Sequence, residues 1–445
     1  MPVRWKSDFD KNVVVANFER RGWEQVESNI EEDWDIYWSS VGSIKQIFGE
    51  SGVRLTGGQL VNHYPNHFEL TRKDLLVKNI KRYQKQVKRD GGPQEGADII
   101  PSTFVLPQDY MLFVEEFRRT PNTTWIMKPS SKSQGKGIFL INKLSQIKKW
   151  SSTVNLPPAL RAGQENYVVS RYIDRPLLIG SKKFDLRLYV VVTSYKPLTV
   201  YMSCLGFGRF CSAKYTTEET ELDNEFVHLT NVAIQKHGED YNNKHGNKWT
   251  LDNIRLYLEA TRGIETTAIL FNDIESCIVT SLKAVQGIIQ NDKHCFELYG
   301  YDLLIDDQLK PWLVEVNASP SLTTSTAADR LLKFKVVSDT LNLVTPSEWV
   351  ALTEQELGPA VACGPMREIR TDPDQPMPLS AGPREKVGSF FLIYSDEAEK
   401  DAVRLRRQIL QCNPLHEGSA AGIWYAGGTG NMLPRSASAK GLRKT

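Results

Sequence analysis

An α+β fold is predicted from two features of the chain. Between about residues 101 and 345, short β-branched and aromatic runs alternate with stretches at helical spacing. From Pro346 onward that pattern lapses, and the last 100 residues hold 9 of the 22 prolines and 10 of the 30 glycines. Such a composition buries little apolar surface and predicts a mostly flexible segment. Residues 1 to about 100 are mixed and carry one strongly basic stretch. The predicted division is therefore 1–100, 101–345 and 346–445.

The elements follow in order. Residues 72–89 hold eight basic residues and one acid. On a helix, Lys78, Lys81, Arg82, Lys85 and Lys88 cluster opposite Leu76, Ile80, Tyr83 and Val87. That helix is either a solvated face or a docking surface for an acidic polymer. Residues 124–127 and 137–141 flank a polar, glycine-containing loop, the pattern of a hairpin. Runs at 168–172, 186–194 and 199–203 read as strands. Thr250 can cap a helix to about residue 261, and 266–289 reads as a longer one. Two strands, 295–305 and 312–316, are joined by a turn over 306–311, and 390–394 followed by 396–409 can form a short strand and helix.

Composition excludes several function classes. With 55 Lys+Arg against 53 Asp+Glu the net charge is +2, which removes the case for a bulk nucleic-acid binder. Hydrophobic residues at 40% and charged at 24% are ordinary globular values, so disorder throughout is excluded. Six dispersed cysteines with no C-x-x-C pair argue against zinc spacings and a disulfide scaffold, and favour a reducing compartment. No apolar run approaches the ~18 residues of a membrane span, and neither end shows a signal peptide or prenylation box. The expectation is a cytosolic or cytoskeletal protein with no membrane and no nucleic-acid partner.

Four constellations carry chemistry. In the first, Asp302 on one strand and Glu315 with Asn317 on the next share a face if the hairpin is centred on its turn. Two carboxylates and an amide oxygen are hard ligands suited to Mg²⁺. The apolar flanks would bury these acids without a partner, which favours a metal over solvent-facing acids. In the second, Lys128 ends a strand before Gln134, Gly135, Lys136 and Gly137, either a plain hairpin turn or a loop whose N–H groups approach phosphate. It is not a Walker A loop. In the third, Lys183, Asp185 and Arg187 alternate onto one face, either an edge-strand ion pair or an anion-directed fork. The fourth is His228-Leu229-Thr230-Asn231, followed by Lys248. Arg209, between Phe207 and Phe210, needs an anionic partner if buried. His63 and His67 are four apart, but Pro65 between them predicts a loop. No Cys/His or Ser/His nucleophile set is legible.

The stretches W-I-M-K-P, S-Q-G-K-G-I, K-F-D-L-R, H-L-T-N-V-A-I-Q-K and E-V-N-A-S-P-S-L, in this order, resemble the tubulin tyrosine ligase-like family, in its polyglutamylase branch. The resemblance covers residues 1–345. It implies an ATP-grasp fold preceded by a small N-terminal α/β domain, and an ATP- and Mg²⁺-dependent amino-acid ligase. Lys128 and Arg187 would then be catalytic, neutralising the transferred phosphoryl group. Lys128 and Lys183 would contact the nucleotide, Gln134 and Gly135 would lie over its phosphates, and Arg171, Tyr172, Ile173 and Asp174 would form the adenine linker. Thr230 and Asn231 would sit near the nucleotide, and Asp302, Glu315 and Asn317 would hold Mg²⁺. Arg209 and Lys248 would bind incoming L-glutamate, with Gln134 also touching the acceptor. Partners implied are α/β-tubulin C-terminal tails on microtubules and accessory subunits of a polyglutamylase complex, in cytoplasm, cytoskeleton and the axoneme or basal body of cilium and flagellum. The alternatives left open are a glycine or tyrosine ligase, and a non-catalytic cytoskeletal subunit.

Overall fold

In the computed structural model, residues 2–10, 12–26, 33–49, 55–92, 95–132, 134–147, 166–242, 246–346, 349 and 384–399 are described. They lie within one unit, residues 1–399.

The chain begins with β1 (Arg4–Ser7), α1 (Val13–Arg20), β2 (Glu24–Gln25), β3 (Ile36–Trp38), α2 (Ile44–Ile47) and β4 (Leu60–Val61). The strands form a parallel sheet in the order β2-β1-β3-β4. Asn12 caps α1, its side-chain oxygen accepting from the N–H groups of Val14 and Val15. Val61 N–H donates to the His294 carbonyl and Phe296 N–H to the Val61 carbonyl, so this sheet is tied to the chain leading into the central one. Then come α3 (Phe68–Thr71) and α4 (Lys73–Arg89), the predicted basic helix. Leu76 and Ile80 are buried, while Lys78, Arg82, Lys85 and Lys88 stay exposed. Lys81 departs from the predicted solvent face: it is half-buried, 3.7 Å from Asp109.

A second sheet follows from β5 (Thr103–Leu106), α5 (Tyr110–Arg119), β6 (Trp125–Pro129), β7 (Phe139–Ile141) and β8 (Tyr167–Arg171). It is antiparallel with order β5-β8-β6-β7, and β6–β7 is the expected hairpin.

The central sheet uses β9 (Leu178–Ile179), β10 (Lys182–Tyr195) and β11 (Leu198–Phe210). Beyond α6 (Glu225–His228) and α7 (Val232–Gln235) it adds β12 (Lys248–Thr250). After α8 (Leu251–Arg262) and α9 (Ile264–Gln286) come β13 (Glu297–Ile305) and β14 (Pro311–Asn317), then α10 (Ala327–Val344), β15 (Lys386–Val387) and β16 (Phe390–Ser395). Its order is β14-β13-β10-β11-β16-β15, with β9 beside β10 and β12 beside β11. Thr250 caps α8 as expected, accepting from Asn253 N–H. Alternate residues of β10 enter different cores. Leu186, Leu188 and Val190 pack with Leu270, Ile274 and Ile278 of α9, whereas Tyr189 and Val191 pack with Val336 and Val337 of α10 and with Trp5 and Phe18. Both faces are therefore dry, and the edge-strand alternative for residues 183–187 is corrected: β10 is internal.

The strand expected at 390–394 is present as β16, and it is built into the sheet against β11. Gly388 adopts φ +58°, and a Cβ there would lie 2.3 Å from the Asp339 carboxyl carbon. That approach lets Asp339 accept from Ser389 N–H at 2.8 Å. Residues 396–399 are helical, as expected for the start of a helix over 396–409; its remainder, and most of the segment 346–445 expected to be flexible, lie outside the described residues.

Candidate active site

A cavity opens where the second sheet faces the central one. Of the sequence candidates, Lys128, Gln134, Gly135, Arg171, Tyr172 and Ile173 line it from the β6–β8 side. Lys183, Arg209, Thr230, Asn231, Asp302 and Glu315 line it from the other. Asp174 lines a neighbouring cavity of about 560 Å³ together with Arg171 and Tyr172. Arg187, Lys248 and Asn317 are not among its lining residues, and their partners are described next.

The expected pair is observed, Asp302 on β13 opposite Glu315 on β14 with Gly300 opposite Asn317, across a register shift between Asp302 and Leu303 that simple centring on the turn does not contain. The premise that these acids lack protein partners is corrected. Arg187 donates to both Asp302 oxygens, at 2.5 and 3.0 Å, and Arg209 Nη2 lies 2.8 Å from Oδ2. Arg209 also forks onto Asp185 at 2.8 and 2.5 Å, and Thr230 Oγ1 donates to Asp185 at 2.7 Å. Burial opposes the charge on Asp302, yet the guanidinia of Arg187 and Arg209 hold its carboxyl well below the usual carboxylate range. Arg187 and Arg209, expected to face phosphate and glutamate, are thus both committed to carboxylates, because two buried charges of each sign neutralise one another here. The expectation that a buried Arg209 requires an anion is borne out.

Glu315 Oε2 lies 2.9 Å from Lys73 Nζ, and Asn317 Nδ2 donates to the Gly300 carbonyl at 3.3 Å. Sequence reasoning missed Lys73, whose only signal was its place in the basic stretch. Asp302, Glu315 and Asn317 present oxygen donors on neighbouring strands, and an ammonium already stands against Glu315. The donor set fits a hard cation.

Two lysines differ from the paired charges. Lys128 has no hydrogen-bond or ion-pair partner among the described residues, and burial pushes its pKa down to about 8 against the pull of Glu315. Lys183 donates to Tyr172 Oη at 2.9 Å and to the His228 carbonyl at 3.0 Å, and burial likewise brings it to about 8. His228 Nε2–H donates to the Glu221 carbonyl, while Nδ1 accepts from Tyr172 Oη at 2.9 Å. Burial, then the neighbouring Lys183, push His228 down to about 4, so it serves as a neutral support. Two cations without carboxylate partners among the described residues share one cavity, an arrangement suited to an anion.

The loop after β6 closes onto this charge. Gln134 and Gly135 have φ +63° and +79°, and a Cβ on Gly135 would stand 2.6 Å from Ile234 Cδ1 and 3.0 Å from Asn231 Oδ1. Glycine lets the loop backbone approach Asn231, just ahead of α7. Lys248, on β12, lies 3.2 Å from Asp329, which Lys333 also contacts at 3.1 Å. His63 and His67 do lie outside a regular helix, as expected, but both are buried beside Glu297, a grouping the sequence did not predict.

This α+β architecture, with an anion-seeking cavity beside a paired-carboxylate hairpin, defines the class of protein by fold and site. The tubulin-tyrosine ligase family model matches residues 53–351. The chain belongs to that family, and the resemblance carried by the five motifs is borne out. Among similar proteins, the probable alpha-tubulin polyglutamylase Ttll1 of Tetrahymena thermophila is 47% identical over 409 residues, covering 89% of this chain and 94% of that protein. The probable tubulin polyglutamylase TTLL9 of Bos taurus is 42% identical, covering 80% and 82%. The tubulin polyglutamylase TTLL5 of Mus musculus is 36% identical over 77% of this chain and 24% of its own length.

Proposed function

We propose that the chain is a tubulin polyglutamylase: an ATP-dependent ligase of the ATP-grasp kind that joins glutamate to the γ-carboxylates of glutamates in tubulin C-terminal tails. The observation that carries the chemistry is Lys128, without a side-chain partner among the described residues, beside Lys183 in one cavity that the carboxylates of Asp302 and Glu315 also line. A polyphosphate supplies the anion those lysines lack.

The acceptor carboxylate oxygen attacks the γ-phosphorus of ATP, the bond to the β–γ bridging oxygen breaks, ADP departs, and the carboxylate becomes an acyl phosphate. The α-amine of free glutamate then attacks its carbonyl, forming an isopeptide bond and releasing phosphate. Lys128 and Lys183 bind the phosphates, and the loop at Gln134 and Gly135 covers them. Arg171, Tyr172, Ile173 and Asp174 provide the adenine linker, with Thr230 and Asn231 at the nucleotide's edge. Arg187 keeps Asp302 ionised. Arg209 and Lys248 would receive the glutamate carboxylates, and binding the donor would require them to share their present partners Asp185 and Asp329. Asp302, Glu315 and Asn317 would hold Mg²⁺, which supplies charge neutralisation for phosphoryl transfer. The exposed lysines of α4 offer an acidic tail its landing surface, and the microtubule substrate places the enzyme on the cytoskeleton, with accessory subunits aiding engagement.

The test is transfer of radiolabelled glutamate to microtubules with Mg-ATP, by wild type and Glu315→Gln, as purified protein and in cell extract. Label incorporation lost in the variant supports the ligase. Absence of transfer by a folded wild type in both settings, with transfer of labelled glycine or tyrosine instead, would redirect the donor assignment.

A further inference from the structure

We propose that Lys333 is a positioning residue for the donor amino acid: by compensating Asp329 it frees Lys248 to take a donor carboxylate, and the resulting charge balance selects a dicarboxylic donor. The proposal rests on the ligase reading above and names the residue that sets its donor class. The strand register puts the groups abreast. Asp185 on β10 lies opposite Arg209 on β11, and Arg209 lies opposite Lys248 on β12. Directly opposed residues of antiparallel strands share a face, so these three side chains stand in a row on one side of the sheet. Arg187 on β10 and Asp302 on β13 are opposed in the same way.

Helix α10 covers this face, its Val336 and Val337 packing with Tyr189 and Val191 of β10. It delivers Asp329 to the Lys248 end of the row, where Oδ1 lies 3.2 Å from Lys248 Nζ. Lys333, one turn further along α10, brings its Nζ to 3.1 Å from Oδ2 of the same carboxylate and donates to the Thr323 carbonyl. Lys333 and Asp329 are buried. Burial opposes both charges, yet Lys333 stays protonated below about pH 8, and Lys333 and then Lys248 hold the Asp329 carboxyl below its usual range. The other end of the row reaches the reaction: Asp185, Arg209 and Asp302 all line the cavity that holds Lys128 and Lys183.

Two carboxylates in this group each touch two cations: Asp302 meets Arg187 and Arg209, and Asp329 meets Lys248 and Lys333. Each therefore keeps one cation when the other turns to a ligand. Arg187 stays on Asp302 as Arg209 engages the donor, and Lys333 stays on Asp329 as Lys248 does. Without that second cation, donor binding would leave a buried carboxylate uncompensated, which opposes binding. Among the described residues, the four cations Arg187, Arg209, Lys248 and Lys333 meet the three carboxylates Asp185, Asp302 and Asp329. One positive charge is left over. Glutamate, with two carboxylates and one ammonium group, cancels it. Glycine and tyrosine are neutral zwitterions and leave the surplus buried.

The test compares full-length wild type, Lys333→Gln and the double variant Lys333→Gln with Asp329→Asn, supplied with microtubules, Mg-ATP and labelled glutamate, glycine or tyrosine. Lys333→Gln should raise the KM for glutamate about 10- to 100-fold, the range of one charged hydrogen-bonding partner. The KM for Mg-ATP should stay within about twofold. Adding Asp329→Asn removes the anion that competes for Lys248, and should return the glutamate KM to within about threefold of wild type. A double variant as impaired as the single one would overturn the positioning role. So would an unchanged glutamate KM in Lys333→Gln, or a parallel rise in the KM for Mg-ATP. If Lys333→Gln does not fold, the double variant, which orphans no buried charge, decides alone: a glutamate KM more than about 10-fold above wild type overturns the proposal. Wild-type transfer of glycine or tyrosine in preference to glutamate would overturn the dicarboxylic selection. A folded wild type that transfers none of the three would instead overturn the ligase reading, and this assignment with it.

Discussion

Lys73 at the start of the basic helix places its ammonium 2.9 Å from the Glu315 carboxylate, across a gap of 242 residues in sequence. Both side chains are largely covered, so the pair matters more than a surface ion pair of up to ~1 kcal/mol. It also ties the proposed tail-docking helix to the proposed metal face. Lys73→Ala should lower the melting temperature in the presence of a chelator. Added Mg²⁺ should narrow that deficit as a cation replaces the ammonium. Differential scanning fluorimetry with and without Mg²⁺ tests this; a deficit indifferent to Mg²⁺ would contradict it.

The Arg187–Asp302–Arg209–Asp185 chain predicts a large stability effect from one deletion. Arg187→Met leaves a buried Asp302 carboxylate with half of its compensation. Breaking a buried pair from one side costs about 3–5 kcal/mol. Urea denaturation should show that loss in the midpoint at unchanged slope. A change below about 1 kcal/mol would mean that Arg209 alone satisfies Asp302.

Lys128 and Lys183 predict proton-linked nucleotide binding. Both titrate near 8 in the empty protein because burial disfavours their charged forms. In the unfolded chain a lysine stays charged to about pH 10.4. Between those values the unfolded state binds more protons, so the stability of the empty protein rises with pH across that window. A polyphosphate favours the charged forms and reverses the penalty. Nucleotide binding at about pH 8.5 should therefore take up protons, and affinity should fall as pH rises above about 8. Calorimetry in two buffers of different ionisation enthalpy reads the uptake directly, and Lys128→Gln should reduce it. Identical apparent enthalpies in both buffers would sink the prediction.

The Asp339 latch predicts local opening. This buried carboxylate accepts from Ser389 N–H and from Lys335 Nζ, at 2.8 and 2.7 Å. Asp339→Asn retains the shape but weakens both charge-assisted bonds. Amide hydrogen exchange in β16 should accelerate while that of β10 stays slow. Equal acceleration in both strands would indicate global destabilisation instead.

Periodicity and turn chemistry made much of the scaffold legible. The hairpin at 306–311, the Thr250 cap and the long helix after it depend on neighbours along the chain, and each appeared where expected. The Asp302–Glu315 pairing was expected from centring the hairpin on its turn. The register running out of the turn, Leu303 opposite Leu313, is however shifted by one at an irregularity between Asp302 and Leu303, and that shift brings Glu315 opposite Asp302. Partners of the charged residues were not readable. Asp302 is 115 positions from Arg187, and nothing local to either states that they meet.

The sequence by itself determined the α+β class, the motifs that identify the family, and the cations and carboxylates that its chemistry needs. Only the tertiary structure decided which charges neutralise one another and which stay uncompensated. Tertiary packing gave Asp302 two guanidinia, set Lys73 against Glu315, left Lys128 without a partner among the described residues, and brought Ser319 to a histidine 256 residues away. The physical reason is desolvation. A buried charge must be compensated by whatever the fold brings within about 3 Å, and that distance is set by strands remote in sequence.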